Sequence, residues 1–252
     1  MRGAILIINV GNTNTTAAVG AQGRILRRLT VPTRGNLPSL GRLRKELFQG
    51  LELHGAILAS VVPAANAAWE ERCAQAGAAP FLTLDHRLDL GVRLAYPRPE
   101  TLGADRLANI CAAAHRHRAP VIAVDIGTAA TFDVVTRKGF VGGVIAPGPE
   151  LMLGYLADRT AKLPRLRPAP CRARIGTDTE SAMRVGAQAG YPAMIGGILD
   201  QLCRIRGLEK APIVITGGAA RDVCRGMGKR VLFDRDLTLL GLLWAFELSR
   251  PA

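Results

Sequence analysis

Ile5-Leu6-Ile7-Ile8-Asn9-Val10-Gly11-Asn12-Thr13 is an apolar, mostly β-branched run that ends in a carboxamide, a glycine and a hydroxyl. Val121-Ile122-Ala123-Val124-Asp125-Ile126-Gly127-Thr128 repeats that design 116 residues later. A second strand-like run with a turn signal follows each: Thr15 to Val19 before Gly20-Ala21-Gln22-Gly23, and Thr131 to Val135 before Thr136-Arg137-Lys138-Gly139. Such pairs predict β-hairpins, and two of them at the heads of two segments predict a duplicated α/β fold. Further along, Ala56 to Val62 and Ile213 to Ile215 read as strands, and Thr101 to Arg116 and Glu180 to Ile205 as helices. The boundary is expected near Arg118-Ala119-Pro120, where an alanine-rich helix ends in basic residues and a proline. It divides the chain into residues 1–118 and 119–252. The glycine-dense segment from Gly139 to Pro149 predicts a loop leading into a helix near Glu150 to Ala161. Pro164 to Thr179, rich in Pro and Arg, is expected to be an exposed connection.

The chain has 252 residues, 48% hydrophobic and 21% charged, which excludes a disordered tail protein and a disulfide miniprotein. Its net charge of +13 comes from 33 Lys+Arg against 20 Asp+Glu, and only five of the cations are lysines. No run of five like charges exists. The loose clusters Arg24, Arg27, Arg28 and Arg165, Arg167, Arg172, Arg174 are expected to be solvated surface rather than a polyanion site. An aromatic content of 4% argues against single-stranded nucleic-acid binding, which depends on stacking, so Trp69 and Trp244 are expected to be packing anchors. Cys73, Cys111, Cys171, Cys203 and Cys224 lack any C-x-x-C spacing and predict reduced thiols in a cytoplasmic protein, with neither a zinc site nor a disulfide framework. His115-Arg116-His117 reads as positive charge at a helix C-terminus rather than a metal pair. The residues after Met1 leave no room for a signal-peptide core, and no apolar run approaches the ~20 residues a bilayer needs; no membrane association is expected.

A strand ending in Asp or Asn and followed by Gly and Thr suits phosphate, because glycine lets backbone amides approach the anion and the hydroxyl donates a further hydrogen bond. A strand-end acid can hold a cation against the same oxygens. Two such motifs predict a cleft that grips a nucleoside triphosphate from both halves. Gly217-Gly218, after the strand-like Ile213 to Thr216, fits a flat adenine as well as ordinary turn geometry. Asp105 falls in the first turn of a predicted helix. There its plain role is to complement the helix dipole, with Arg106 an ordinary ion-pair partner.

The chain as a whole resembles the type III pantothenate kinases. The resemblance rests on Val10-Gly11-Asn12-Thr13, Ser60-Val61-Val62-Pro63, Tyr96 and Pro99 with Gly103-Ala104-Asp105-Arg106, and Asp125-Ile126-Gly127-Thr128-Ala129. It continues through Gly142 to Gly148, Arg159 to Pro164, Ile175-Gly176 with Thr179, Thr216-Gly217-Gly218, and Leu237-Thr238-Leu239-Leu240-Gly241. It implies the duplicated ribonuclease-H-like fold shared by acetate and sugar kinases, heat-shock ATPases and actin, with two halves around an ATP cleft. It further implies a homodimer whose subunits both contribute to each substrate pocket. On this resemblance Asp105 is the general base toward pantothenate, and Tyr96, Gly103, Ala104, Arg106 and Thr179 line the substrate pocket. Asn9, Val10, Gly11, Asn12, Thr13, Asn14, Thr15, Thr16 and Thr128 hold ATP phosphates carrying Mg²⁺, Gly217 and Gly218 serve the adenosine, and Asp125 ligates potassium or ammonium. The first family motif usually begins with aspartate. Asn9 keeps the shape and loses the charge, which predicts weaker Mg²⁺ binding and leaves a second reading: a catalytically impaired relative acting as a regulatory or nucleic-acid-associated binding protein.

Overall fold

The computed structural model describes residues 3–224 and 231–250, apart from the side chains of Asp222 and Cys224, so the Cys224 thiol lies outside the described residues. In chain order the elements are β1 (Ala4–Val10), β2 (Asn14–Ala21), β3 (Arg24–Pro32), α1 (Leu40–Leu43) running into a π-helical turn (Arg44–Phe48), β4 (Leu53–Ser60), α2 (Asn66–Gln75), β5 (Phe81–Thr83), α3 (Ala104–His117), β6 (Val121–Ile126) and β7 (Ala129–Thr136). They continue with β8 (Gly139–Pro147), α4 (Pro149–Arg159), α5 (Thr179–Cys203), β9 (Ile213–Thr216), α6 (Ala220–Cys224), β10 (Val231–Phe233) and α7 (Leu237–Leu248).

The elements form two compact units. The first comprises Met1–Ala119, Arg137–Gly142 and Asp236–Ala252, the second Pro120–Thr136 and Gly143–Arg235. The chain passes from the first unit to the second after Ala119 and returns for residues 137–142, and the final helix groups with the first unit instead of staying with residues 119–252. The cause is packing: α7 lies along α3 and against β1 and β4, and its Leu237, Leu239, Leu240, Leu242, Leu243, Ala245 and Phe246 are buried.

The sheet of the first unit has the order β3-β2-β1-β4-β5. β1–β2 and β2–β3 are antiparallel, β1–β4 and β4–β5 parallel. Because both faces are covered, β1 is almost continuously apolar instead of alternating: Leu6, Ile8 and Val10 pack into a cluster with Leu43, Leu47, Phe48 and Trp69. Arg27 and Arg28 are structural. Arg27 donates to the carbonyls of Leu47 within the π-helical turn and of Gln49 just after it, and Arg28 pairs with Asp236.

In the second unit the sheet order is β8-β7-β6-β9-β10, with β6–β7 antiparallel and β6–β9 and β9–β10 parallel. This is the strand order of the first unit again, so the repeated hairpins each head one copy of a duplicated α/β fold. Ile122, Val124, Phe132, Val134 and Ile215 pack with Tyr191, Ile195 and Leu199 of α5. The segment from Gly139 to Pro147 is a strand, not the expected loop. Its glycines serve close pairing: a Cβ on Gly143 would stand 1.8 Å from the Phe132 carbonyl oxygen, so the composition that reads as a loop is the condition for the strand to lie there. Residues 160–178 have no regular structure, and two of their arginine positions are tied to flanking helices. Arg165 pairs with Asp158 of α4, and Arg184 of α5 donates to the Arg167 carbonyl.

Candidate active site

In the first unit, residues 11–13 join β1 to β2. Gly11 N–H donates to the Asn14 carbonyl (3.0 Å) and Val61 N–H to the Val10 carbonyl (3.0 Å). Asn12, Thr13 and Asn14 are exposed, whereas the side chains of Val10 and Thr15 are buried. Those two can therefore offer an anion only their backbone. Asn9 is half-buried and lies opposite Thr16 in the β1–β2 register; the Thr16 hydroxyl in turn bonds the Thr30 hydroxyl at 3.1 Å.

Asp105 is the second residue of α3, whose N-cap Gly103 supplies no side-chain cap. One carboxylate oxygen, Oδ1, accepts from Arg106 N–H at 2.8 Å. A Cβ on Gly103 would approach that oxygen to 2.6 Å, so glycine makes room for the carboxylate to fold back over the helix start. Arg106 lies over the Phe140 ring with its guanidinium carbon 5.8 Å from the centroid, and Tyr96 packs against the same ring, centroids 5.5 Å apart. Phe140 is fixed by its N–H, which donates to the Arg93 carbonyl (2.9 Å). Tyr96, Gly103, Ala104, Asp105 and Arg106 are thus brought together in one unit.

In the second unit Asp125 stands one residue before the end of β6, with Thr131 opposite it on β7 and Thr216 beside it on β9. The three side chains share one face of the sheet. The Thr131 hydroxyl is buried without a hydrogen-bond partner, which leaves an oxygen donor facing the Asp125 side of the sheet. Gly217 has φ +103°, and a Cβ there would fall 2.5 Å from Asp125 Oδ1; Gly218 has open space around it. Thr128 and Thr179 lie on the wall of one groove of about 1180 Å³, lined mainly by Leu151, Met152, Tyr155 and Met183 of α4 and α5. Among the described residues no three His, Cys, Asp or Glu side chains cluster as a metal site. His115 stacks on Trp244, centroids 5.2 Å apart, and Trp69 is buried, so both tryptophans pack.

A model of the family described as type III pantothenate kinase matches residues 5–201. The chain belongs to the type III pantothenate kinases. The type III pantothenate kinase of Akkermansia muciniphila is 39% identical over 97% of this chain and 98% of its own; that of Koribacter versatilis is 35% identical over 98% and 96%. Among solved structures, the ethanolamine utilization protein EutJ of Carboxydothermus hydrogenoformans (TM-score 0.54, 16% identity, 96% of this chain and 89% of that one) shares the fold. So does component A of the (R)-2-hydroxyglutaryl-CoA dehydratase of Acidaminococcus fermentans (TM-score 0.52, 12% identity, 96% and 95%). Two residues of this pantothenate kinase carry no sequence signal for the site they border. Phe140 holds Tyr96 and Arg106 from 34 or more positions away in sequence, and Thr33 contacts the 11–14 turn from a different strand end.

Proposed function

We propose that this pantothenate kinase transfers the terminal phosphoryl group of ATP to the primary hydroxyl of pantothenate, giving 4′-phosphopantothenate, with Asp105 as general base. Family membership makes it an ATP-dependent enzyme of the first step of coenzyme A synthesis. The observation that carries the assignment of the base is the engagement of Asp105 Oδ1 by the Arg106 amide. That bond fixes the carboxylate and leaves Oδ2 to accept the hydroxyl proton, within hydrogen-bond reach of a bound alcohol. The alcohol oxygen then bonds to the γ-phosphorus as the bridging P–O bond to ADP breaks, a reaction in which positioning and charge neutralisation do most of the work. Arg106 supplies positive charge for the pantothenate carboxylate, and Tyr96, Gly103 and Ala104 shape the pocket around it. Thr179 contributes a hydroxyl to the pantothenate pocket of a homodimer in which both subunits supply residues.

On this reading the backbone of residues 9–16, with the Asn12, Thr13, Asn14 and Thr16 side chains, and Thr128 take the phosphates, while Gly217 and Gly218 lie against the adenosine. Kinases of this kind use a divalent cation, here Mg²⁺ carried mainly by the nucleotide. Asn9 offers it one neutral oxygen. Asp125 and the unpartnered Thr131 hydroxyl suit potassium or ammonium, which supplies positive charge beside the phosphates. We place the enzyme in the cytoplasm with its substrates; no described helix is long and apolar enough to cross a membrane.

Asp105→Asn tests the base. The half-buried first-turn acid contributes little to folding, so the melting temperature should hold while pantothenate phosphorylation falls by about 10²–10⁴-fold. Activity within a few-fold of wild type would remove Asp105 from the chemistry. A wild type that binds ATP and never turns over would favour the regulatory reading instead.

A further inference from the structure

We propose that Thr33 is a positioning residue that aims the backbone amides of the 11–14 turn at the phosphates of ATP; the proposal rests on the assignment of that turn to phosphate binding. Thr33 follows the last residue of β3 and meets the turn at three points. Its hydroxyl donates to the Gly11 carbonyl at 2.7 Å. It lies 2.9 Å from the Thr15 hydroxyl, and because a threonine hydroxyl has one proton, already given to Gly11, Thr15 is the donor in that pair. The Thr33 N–H donates to the Thr13 carbonyl at 2.9 Å.

The consequence follows from peptide geometry. In a planar trans peptide the C=O of one residue and the N–H of the next point in opposite directions, and every bond in this turn is trans. With the Gly11 and Thr13 carbonyls drawn to Thr33, the N–H groups of Asn12 and Asn14 face away from it. Two amides presented to the same side of the turn can bind an anion between them, and residues 12–14 are exposed. The neighbouring carbonyls of Val10 and Asn14 are likewise occupied, by Val61 N–H and Gly11 N–H, so the carbonyls of Val10, Gly11, Thr13 and Asn14 are all turned to protein donors and away from an anion. The matching turn of the second unit is one residue shorter, β6 and β7 pairing through Ile126 and Ala130 where β1 and β2 pair through Val10 and Thr15. The longer turn is the one that needs a latch.

Direct binding of ATP and of adenosine to wild type, Thr33→Val, Thr33→Ser and Asn12→Asp decides the matter. Valine keeps the shape of the side chain and removes the hydroxyl. Thr33→Val should weaken ATP about tenfold and leave adenosine unchanged, with KM for pantothenate unaltered, and Thr33→Ser should restore ATP binding. Asn12→Asp, which sets a negative charge in the turn, should weaken ATP and spare adenosine. If Asn12→Asp leaves ATP binding untouched, the turn is not the phosphate site and both proposals fall. If Asn12→Asp weakens ATP while Thr33→Val does not, or if Thr33→Val weakens ATP and adenosine equally, the latch alone is overturned. Should Thr33→Val fail to fold, Thr15→Val removes only the hydroxyl that donates to Thr33; it should weaken ATP severalfold without affecting adenosine, and unchanged ATP binding in that variant would overturn the latch.

Discussion

At position 9 the first unit carries a carboxamide where the second, at the matched strand end, carries the Asp125 carboxylate. Their surroundings differ as well. Asp125 has the Thr131 and Thr216 side chains on either side, whereas Asn9 has Thr16 on one side and Ala59 on the other. The two positions therefore predict different cation behaviour. On the proposed phosphate assignment, Mg²⁺ near Asn9 would be held by the triphosphate and water, which this slowly dehydrating ion permits. Asn9→Asp adds a charge on the order of 1–4 kcal/mol of attraction at a partly solvated site. A Mg²⁺ titration at fixed ATP should reach half-maximal rate at lower metal in Asn9→Asp, and an identical or right-shifted curve would refute a missing anchor. At Asp125, replacing potassium and ammonium by sodium should depress the rate, and full activity in sodium would count against a monovalent site there. The residues that carry these arguments were legible because strand end, glycine and hydroxyl are contiguous. Thr33 was not: its partners Thr15 and Gly11 lie 18 and 22 positions away, and nothing local marks a threonine whose role is to hold another segment's carbonyl.

Among the elements, α3 matters most to the proposed site because Asp105 lies in its first turn, and its rear face is set by α7. A Cβ on Gly241 would stand 1.8 Å from the Ala108 carbonyl oxygen, so the two helices touch backbone to backbone. Nearby, the Thr238 hydroxyl donates to Oδ1 of the buried Asn109 at 2.8 Å. Gly241→Ala must push the helices apart and should cost about 1–3 kcal/mol, the usual penalty for overpacking. For a chain of this size that lowers Tm by roughly 2–4 °C per kcal/mol. Because the displaced helix carries the proposed base, Asp105, kcat should fall below the melting transition while the affinity for adenosine holds. An unchanged melting curve would show that the crossing is looser than it stands. The hairpins and the long helices were readable from short-range periodicity, and the repetition of the hairpins announced the duplication, while the order of the outer strands came only from the structure. The membership of α7 was not, because Thr238 meets Asn109 across 129 positions. The strand β8 was hidden for another reason: its glycines are required by close backbone approach and carry the same composition as a turn.

For the whole molecule the question is what two copies would bury. Each chain carries a formal charge of +13, so association works against long-range repulsion and needs an apolar surface. The second unit has one: Ile145 and Tyr155 are each 63% exposed and Leu151 48%, with Leu151 and Tyr155 on α4 at the groove that also carries Thr128 and Thr179. A second copy seated there would remove these side chains from water at ~25 cal/mol per Å² of apolar surface. Salt screens charge repulsion beyond a Debye length, ~8 Å at physiological ionic strength, and leaves apolar burial in place. A dimer formed through this surface, as proposed, should therefore tighten, not loosen, as salt rises, the reverse of an assembly held by ion pairs. Sedimentation across a salt series should show two chains per particle with a dissociation constant that falls, and Tyr155→Asp should shift the protein to monomer. If the pantothenate pocket draws residues from both subunits, that monomer should lose phosphorylation while still binding ATP, whose proposed phosphate turn at residues 11–14 is complete within one chain. A Tyr155→Asp monomer with wild-type activity would separate dimerisation from catalysis and return Thr179 to a structural role as the first residue of α5.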